Sequence, residues 1–207
     1  MKNRVSDLCR GNSGLSGLGD ERFTVLTDAI DRLPVRENGD TVIVAIDGRS
    51  ASGKTTLSEY LETEYDCNVF HMDDFFLRPE QRTEERLYTP GENTDHERVL
   101  GEILLPLKRN SRVLLRRYNC HTQCLEKPVR IPHKRLNIVE GVYALHPALR
   151  DCYDLTVFYD ILPDEQRERI RNRNRPEIAE KYFSVWIPLE ERYFLEMSIR
   201  NKADILL

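Results

Sequence analysis

The sequence lacks any apolar run approaching the roughly 20 residues that span a bilayer, and its N-terminus has no apolar core of a secretory signal. A cytoplasmic protein with no membrane segment is therefore expected. Cysteine is scarce and odd in number. Five scattered residues do not make a disulfide framework, and Cys67 falls in an expected buried strand, so reduced thiols are expected. Cys120-His121 and Cys124 raise a metal reading, but a zinc site takes about four ligands and no second paired cluster follows. Nor is there an excess of one charge: 31 Lys and Arg stand against 35 Asp and Glu, a net charge of −4. That balance argues against general nucleic-acid or membrane-surface binding, so local basic clusters need local reasons.

What is present suffices for one core. A chain of 207 residues, 40% hydrophobic and 32% charged, fits a single globular domain with a heavily charged surface. Residues 1–19 end in Gly11-Asn12-Ser13-Gly14-Leu15-Ser16-Gly17-Leu18-Gly19, too glycine-rich for regular structure, and are read as a flexible lead-in to a domain over 20–207. Asp20 can cap a helix with Phe23, Leu26, Ile30 and Leu33 on one face and Pro34 at its end, after which Asn38-Gly39 turns the chain.

The most informative stretch is Gly48-Arg49-Ser50-Ala51-Ser52-Gly53-Lys54-Thr55, which fits the pattern of glycine, four residues, then Gly-Lys-Ser/Thr. Its context matches too. Thr41–Ile46 is a β-branched, continuously apolar run of the kind buried on both faces of a parallel sheet, and from Lys54 the period becomes helical, with Leu57, Tyr60, Leu61 and Tyr65. A strand, a glycine turn and a helix N-terminus converge unpaired N–H groups and a positive dipole end on one point, which makes an anion cradle. An ordinary glycine-containing turn is the alternative, disfavoured because strand, spacing and helix all agree. The expected nucleotide contacts are Gly48, Ser50, Ala51, Ser52, Gly53, Lys54, Thr55 and Thr56, with Lys54 reaching the β/γ-phosphates and the Thr55 hydroxyl on Mg²⁺.

A second strand, Cys67–Met72, runs into Asp73-Asp74, where side chains at the carboxyl end of an open α/β sheet face the ligand crevice. Residues 77–93 read mostly as loop. Thr94 or Asp95 can cap a helix burying Val99, Leu100, Ile103, Leu104 and Leu107, with Pro106 near its end. Arg112–Tyr118 and Lys127–Ile131 read as an inserted hairpin. Leu136–Val139 is a third core strand ending on Glu140-Gly141, and Leu155–Tyr159 a fourth ending on Asp160. A strand that closes on an acid suits the residue that organises Mg²⁺ opposite a phosphate loop, and Glu140 is the better candidate because Gly141 leaves room beside it. Pro163–Arg175 carries five arginines and one apolar residue. It reads either as a solvated helix or as a mobile lid that places arginine over a transferring phosphate. A last helix is expected from about Pro188 to about Asn201, burying Leu189, Tyr193 and Met197, and Ala203–Leu207 reads as a final strand.

Ile46–Leu57, Asp73-Asp74-Phe75-Phe76, Ile138-Val139-Glu140-Gly141 and Lys202-Ala203-Asp204-Ile205, in that order and spacing, resemble the uridine kinase family. The resemblance runs from about Thr41 to the C-terminus. It implies a three-layer α/β P-loop NTPase fold with a five-stranded parallel sheet, an inserted β-hairpin and an arginine-bearing lid. It also implies an ATP- and Mg²⁺-dependent kinase acting on a small-molecule alcohol, a nucleoside first, pantothenate or a sugar phosphate as alternatives; a homo-oligomer is compatible with it. By the same resemblance Asp73 takes the proton of the acceptor hydroxyl, Lys54, Arg169 and Arg173 serve the transferred group, Thr55 and Glu140 serve the metal, and Asp95, Tyr118, Asn119 and Gln123 fall at the acceptor site. Two positions depart from the family. Asn119 stands where it has Asp, and Gln123 where it has a pocket His, so weak discrimination among pyrimidine nucleosides, or a preference for another alcohol, is expected.

Overall fold

Strands with apolar side chains at every position need cover on both faces, and this requirement sets the architecture. The computed structural model describes residues 21–34 and 40–207. The lead-in, Asp20 and the Asn38-Gly39 turn lie outside the described residues.

Helix α1 (Glu21–Arg32) is followed by β1 (Val42–Asp47), the glycine loop, α2 (Lys54–Glu64) and β2 (Cys67–His71). A single 3₁₀ turn, Met72–Phe75, carries Asp73 and Asp74, and α3 (Glu84–Tyr88) gives the expected loop a helical turn. Then come α4 (96–108) and an insertion built of two short antiparallel ladders, β3 (Val113–Leu115) on β6 (Val129–Ile131) and β4 (Tyr118–Asn119) on β5 (Cys124–Leu125). After β7 (Leu136–Glu140), α5 (Pro147–Arg150) and β8 (Leu155–Phe158), the chain closes with α6 (Pro163–Arg173), α7 (176–196), α8 (Ile199–Lys202) and β9 (Ile205–Leu206).

Five strands form one parallel sheet in the order β2-β7-β1-β8-β9. Alternate residues of β1 feed two cores. Ile43 and Ala45 pack with Phe70, Ile103, Val139 and Phe158 on one face; Val42, Val44 and Ile46 pack with Phe23, Leu26, Leu57 and Leu61 on the other. This is the three-layer α/β P-loop arrangement. The chain turns from one side of β1 to the other after β7, so the carboxyl ends of β1, β7 and β2 border the crevice where such sheets bind ligands. The register Ile46↔Glu140↔His71 brings three strand ends to one level there.

One element differs from its sequence expectation. The last long helix starts at 176 rather than near 188, and its buried residues are Ala179, Glu190, Tyr193 and Phe194, with Leu189 and Met197 only partly covered. The reason is local. A proline inside a helix lacks the N–H of one backbone bond, and here Tyr182–Trp186 widens to a π-type turn just before Pro188, which absorbs the mismatch. Pro106 is carried through α4 in the same way, behind a widened turn at Val99–Leu104.

Candidate active site

The glycine loop is fixed from below by Asp47, which closes β1 and is fully buried. Its carboxylate accepts hydrogen bonds from the amides of Gly48 (2.6 Å), Tyr143 (3.2 Å) and Leu145 (2.9 Å) and from the Tyr193 hydroxyl (2.8 Å). Removal from water nevertheless raises its pKa to about 6. Gly48 has φ +141°, and a Cβ there would stand 2.0 Å from the Tyr159 carbonyl oxygen, so no other residue fits. Beyond it, a cavity at the N-terminus of α2 is lined by Ala51, Gly53, Lys54, Thr55, Thr56, Arg169 and Arg173. The Lys54 ammonium donates to the carbonyls of Gly48 (2.9 Å) and Arg49 (2.8 Å), and burial lowers its pKa against the pull of nearby Glu190 and Asp47.

Glu140 ends β7 beside the cradle. Its carboxylate accepts from the Thr55 hydroxyl at 3.4 Å and lies 2.6 Å from His71 Nδ1, a bond that raises the pKa of the imidazole. Gly141 keeps this corner open, since a Cβ there would come within 2.7 Å of the Met72 side chain. Asp73 stands next in the crevice. Its surroundings, chiefly by desolvation and then by the charge of Glu140, raise its pKa, although the side chain is still open to solvent on the crevice side. A hydroxyl and two carboxylates are the hard oxygen donors that suit Mg²⁺, so these residues fit that ion.

Of the lid arginines, Arg169 donates to the carbonyls of Ala51 (3.2 Å) and Ser52 (3.0 Å), and Arg173 lines the same cavity. Arg167 and Arg171 instead lie over the Phe183 ring, at 4.4 and 5.2 Å. A second pocket opens beside Asp73, lined by Ser50, Met72, Phe76, Asn93, Thr94, Val142, Tyr143, Tyr182, Trp186 and Glu190. The remaining acceptor candidates do not reach it. Asp95 is buried and caps α4 through the Arg98 amide (3.3 Å). The Tyr118 hydroxyl accepts from Arg82 (2.9 Å). Asn119 closes the hairpin turn through the amides of His121 and Thr122, and Gln123 sits exposed in that turn at φ +55°. Asp160, the other strand-end acid, is held by Arg49 (2.8 Å) and Arg200 (2.9 Å).

Sequence reasoning missed Asp47, His71, Tyr143 and the α7 face. The i, i+4, i+8 spacing of Tyr182, Trp186 and Glu190 could have signalled that face. Cys120, His121 and Cys124 form no ligand cluster among the described residues; Glu92, His96 and His146 do converge. His146 Nδ1 accepts from the Ala148 amide (3.2 Å), however, which leaves the proton on Nε2 and makes that atom a donor rather than a metal ligand. Burial and the neighbouring His96 lower the His146 pKa to about 4.

No protein-family model matches the chain. A uridine kinase of Staphylococcus aureus is 27% identical over 186 residues, which span 81% of this chain and 87% of that one. The uridine-cytidine kinase C of Dictyostelium discoideum is 26% identical over 140 residues, 67% of this chain and only 31% of that longer protein. A solved structure of a uridine kinase candidate from Bacillus stearothermophilus superposes with a TM-score of 0.66 at 22% identity, covering 90% of this chain and 97% of that one. The fold and the phosphate loop are those of the P-loop NTPases, and the relatives matched by sequence are kinases. Within that class the chain's sequence likeness is to the uridine kinases.

Proposed function

We propose that the protein transfers the γ-phosphoryl group of ATP to an uncharged small-molecule alcohol, a pyrimidine nucleoside first, and that it does so in the cytoplasm. The observation that carries this reading is the position of Asp73, at the seam between the phosphate cradle and an aromatic pocket that, among the described residues, no lysine or arginine lines. An alcohol bearing a carboxylate or phosphate, such as pantothenate or a sugar phosphate, would bring its charge against Asp73 and Glu190, with no cation among the pocket's described lining residues and Arg173 held at Tyr182 beside it. A flat, neutral nucleoside instead finds the rings of Tyr143, Tyr182 and Trp186 and the amide of Asn93.

In this reading the Asp73 carboxylate accepts the proton of the acceptor hydroxyl as its oxygen attacks the γ-phosphorus and the bond to the ADP oxygen breaks. Lys54, Arg169 and Arg173 spread the charge that develops on the transferred group. Thr55 and Glu140 would hold Mg²⁺, which supplies charge neutralisation at the phosphates, and His71 fixes the Glu140 carboxylate.

The test is ADP formation from Mg-ATP across uridine, cytidine, pantothenate and sugar phosphates. Turnover with the nucleosides and not with the anionic alcohols is expected; turnover confined to an anionic acceptor would overturn the reading. A protein that binds ATP and turns over with none of them would be a nucleotide-switched binding protein, for which a poised base at Asp73 has no use. Lys54→Ala should lower turnover by at least about 100-fold with little change in thermal unfolding, because the lysine's task is electrostatic.

A further inference from the structure

Glu190 is a carboxylate out of place. It lies on α7, is 3% exposed, and touches the phosphate loop rather than solvent. Oε2 accepts from the Ser50 amide at 3.0 Å and from Gln166 Nε2 of α6 at 3.4 Å, and Oε1 accepts from the Ser50 hydroxyl. The carbonyls of Gly48 and Arg49, which receive the Lys54 ammonium, directly precede Ser50 in the loop. The same helix face presents Tyr182 and Trp186, eight and four residues earlier, to the pocket beside Asp73, and Glu190 completes that pocket's wall. A single buried side chain therefore joins the acceptor pocket, the lid helices and the loop that orients Lys54.

We propose that Glu190 is a positioning residue: by holding Ser50 it sets the glycine loop in its phosphate-binding shape, and it ties that shape to the helix face against which the acceptor packs. This rests on the kinase reading above for the acceptor's part, but the nucleotide's part stands on the loop geometry alone. In this role its hydrogen bonds count for more than its charge, which also helps to hold the Lys54 ammonium protonated. A negative group this near a triphosphate is an electrostatic cost, so the two roles are separable by substitution. Gln keeps an oxygen for the Ser50 amide and offers its own N–H to the hydroxyl oxygen; Ala keeps neither.

The experiment measures Mg-ATP affinity by calorimetry and ADP formation with uridine, for the unmodified protein, Glu190→Gln, Glu190→Ala, Ser50→Ala and the Glu190→Ala/Ser50→Ala pair. Glu190→Gln should bind ATP at least as tightly as the unmodified protein. Glu190→Ala should weaken ATP about 10-fold, the scale of one lost hydrogen bond to a charged group. The double variant should be no weaker than about the worse single one, because both act through the same contact. A purely structural loss would show in the unfolding transition and add to the Ser50→Ala effect instead. Unchanged ATP affinity in Glu190→Ala, additive losses in the double variant, or a Glu190→Gln as weak as Glu190→Ala would each overturn the proposal. Failure of the unmodified protein to form ADP with uridine would count against the nucleoside reading alone, since the ATP-binding arm does not depend on it.

Discussion

Asp73 and Asp74 are adjacent in one 3₁₀ turn and opposite in circumstance. Asp74 accepts from the Arg117 guanidinium of the hairpin at 2.9 Å, whereas Asp73 faces the crevice with a pKa raised by desolvation and then by the charge of Glu140. A base must be deprotonated to work, so a raised pKa moves the acidic limb of the rate profile upward in pH. The expected profile of kcat/KM rises with pH through a midpoint above the ordinary Asp value, roughly 3.9. Asp73→Asn should lower kcat by at least about 100-fold while leaving the KM for ATP within a few-fold. Asp74→Asn should keep most of kcat. Equal losses in both, measured by steady-state kinetics, would mean that the pair is an acidic patch without a distinct base.

At the scale of elements, the last strand is the most precarious, for β9 has only two residues and sits at the sheet edge. Asp204 anchors it. One carboxylate oxygen accepts from both the Thr156 amide (2.8 Å) and the Thr156 hydroxyl (2.6 Å), while the Asp204 amide donates to the Thr156 carbonyl (3.0 Å). Asp204→Ala should cost about 2 kcal/mol, the range for hydrogen bonds to a charged acceptor, read as a lower urea midpoint at unchanged slope. This residue stood in a stretch recognisable in the sequence by resemblance, yet its work is structural and invisible there. What local pattern could show was each strand and the glycine turn, because continuous apolar runs and fixed spacings are local signals. What it could not show was contact between distant residues. Glu190 reaches Ser50 across 140 positions and Tyr193 reaches Asp47 across 146. Local periodicity does not reveal that a widened turn carries α7 through Pro188. The departures at Asn119 and Gln123 were legible as letters, but hairpin geometry decides that both serve the turn.

Over the whole molecule, two buried groups make opposite demands on protons. His146 has its pKa lowered from 6.5 to about 4, so between those values the unfolded chain holds a proton that the folded one does not. Its contribution to stability is present above the unfolded pKa and is lost as pH falls through that window. Asp47 is raised from 3.8 to about 6, so in its window the folded protein holds the extra proton and its contribution is lost as pH rises. Across the overlap, the two slopes have opposite sign and similar size, and the protein's unfolding free energy should vary less with pH than either group alone would make it. His146→Asn isolates one of them. Asn can still accept from the Ala148 amide as the helix cap, as Nδ1 of the imidazole does at 3.2 Å, but it does not titrate. The difference in unfolding free energy, protein minus variant, should grow by about 1.4 kcal/mol per pH unit across the window and level off above it. Urea unfolding of both proteins at closely spaced pH values measures it. A difference that stays flat throughout would mean that His146 titrates alike in the folded and unfolded chain, and that its burial against His96 and Glu92 does not hold it neutral.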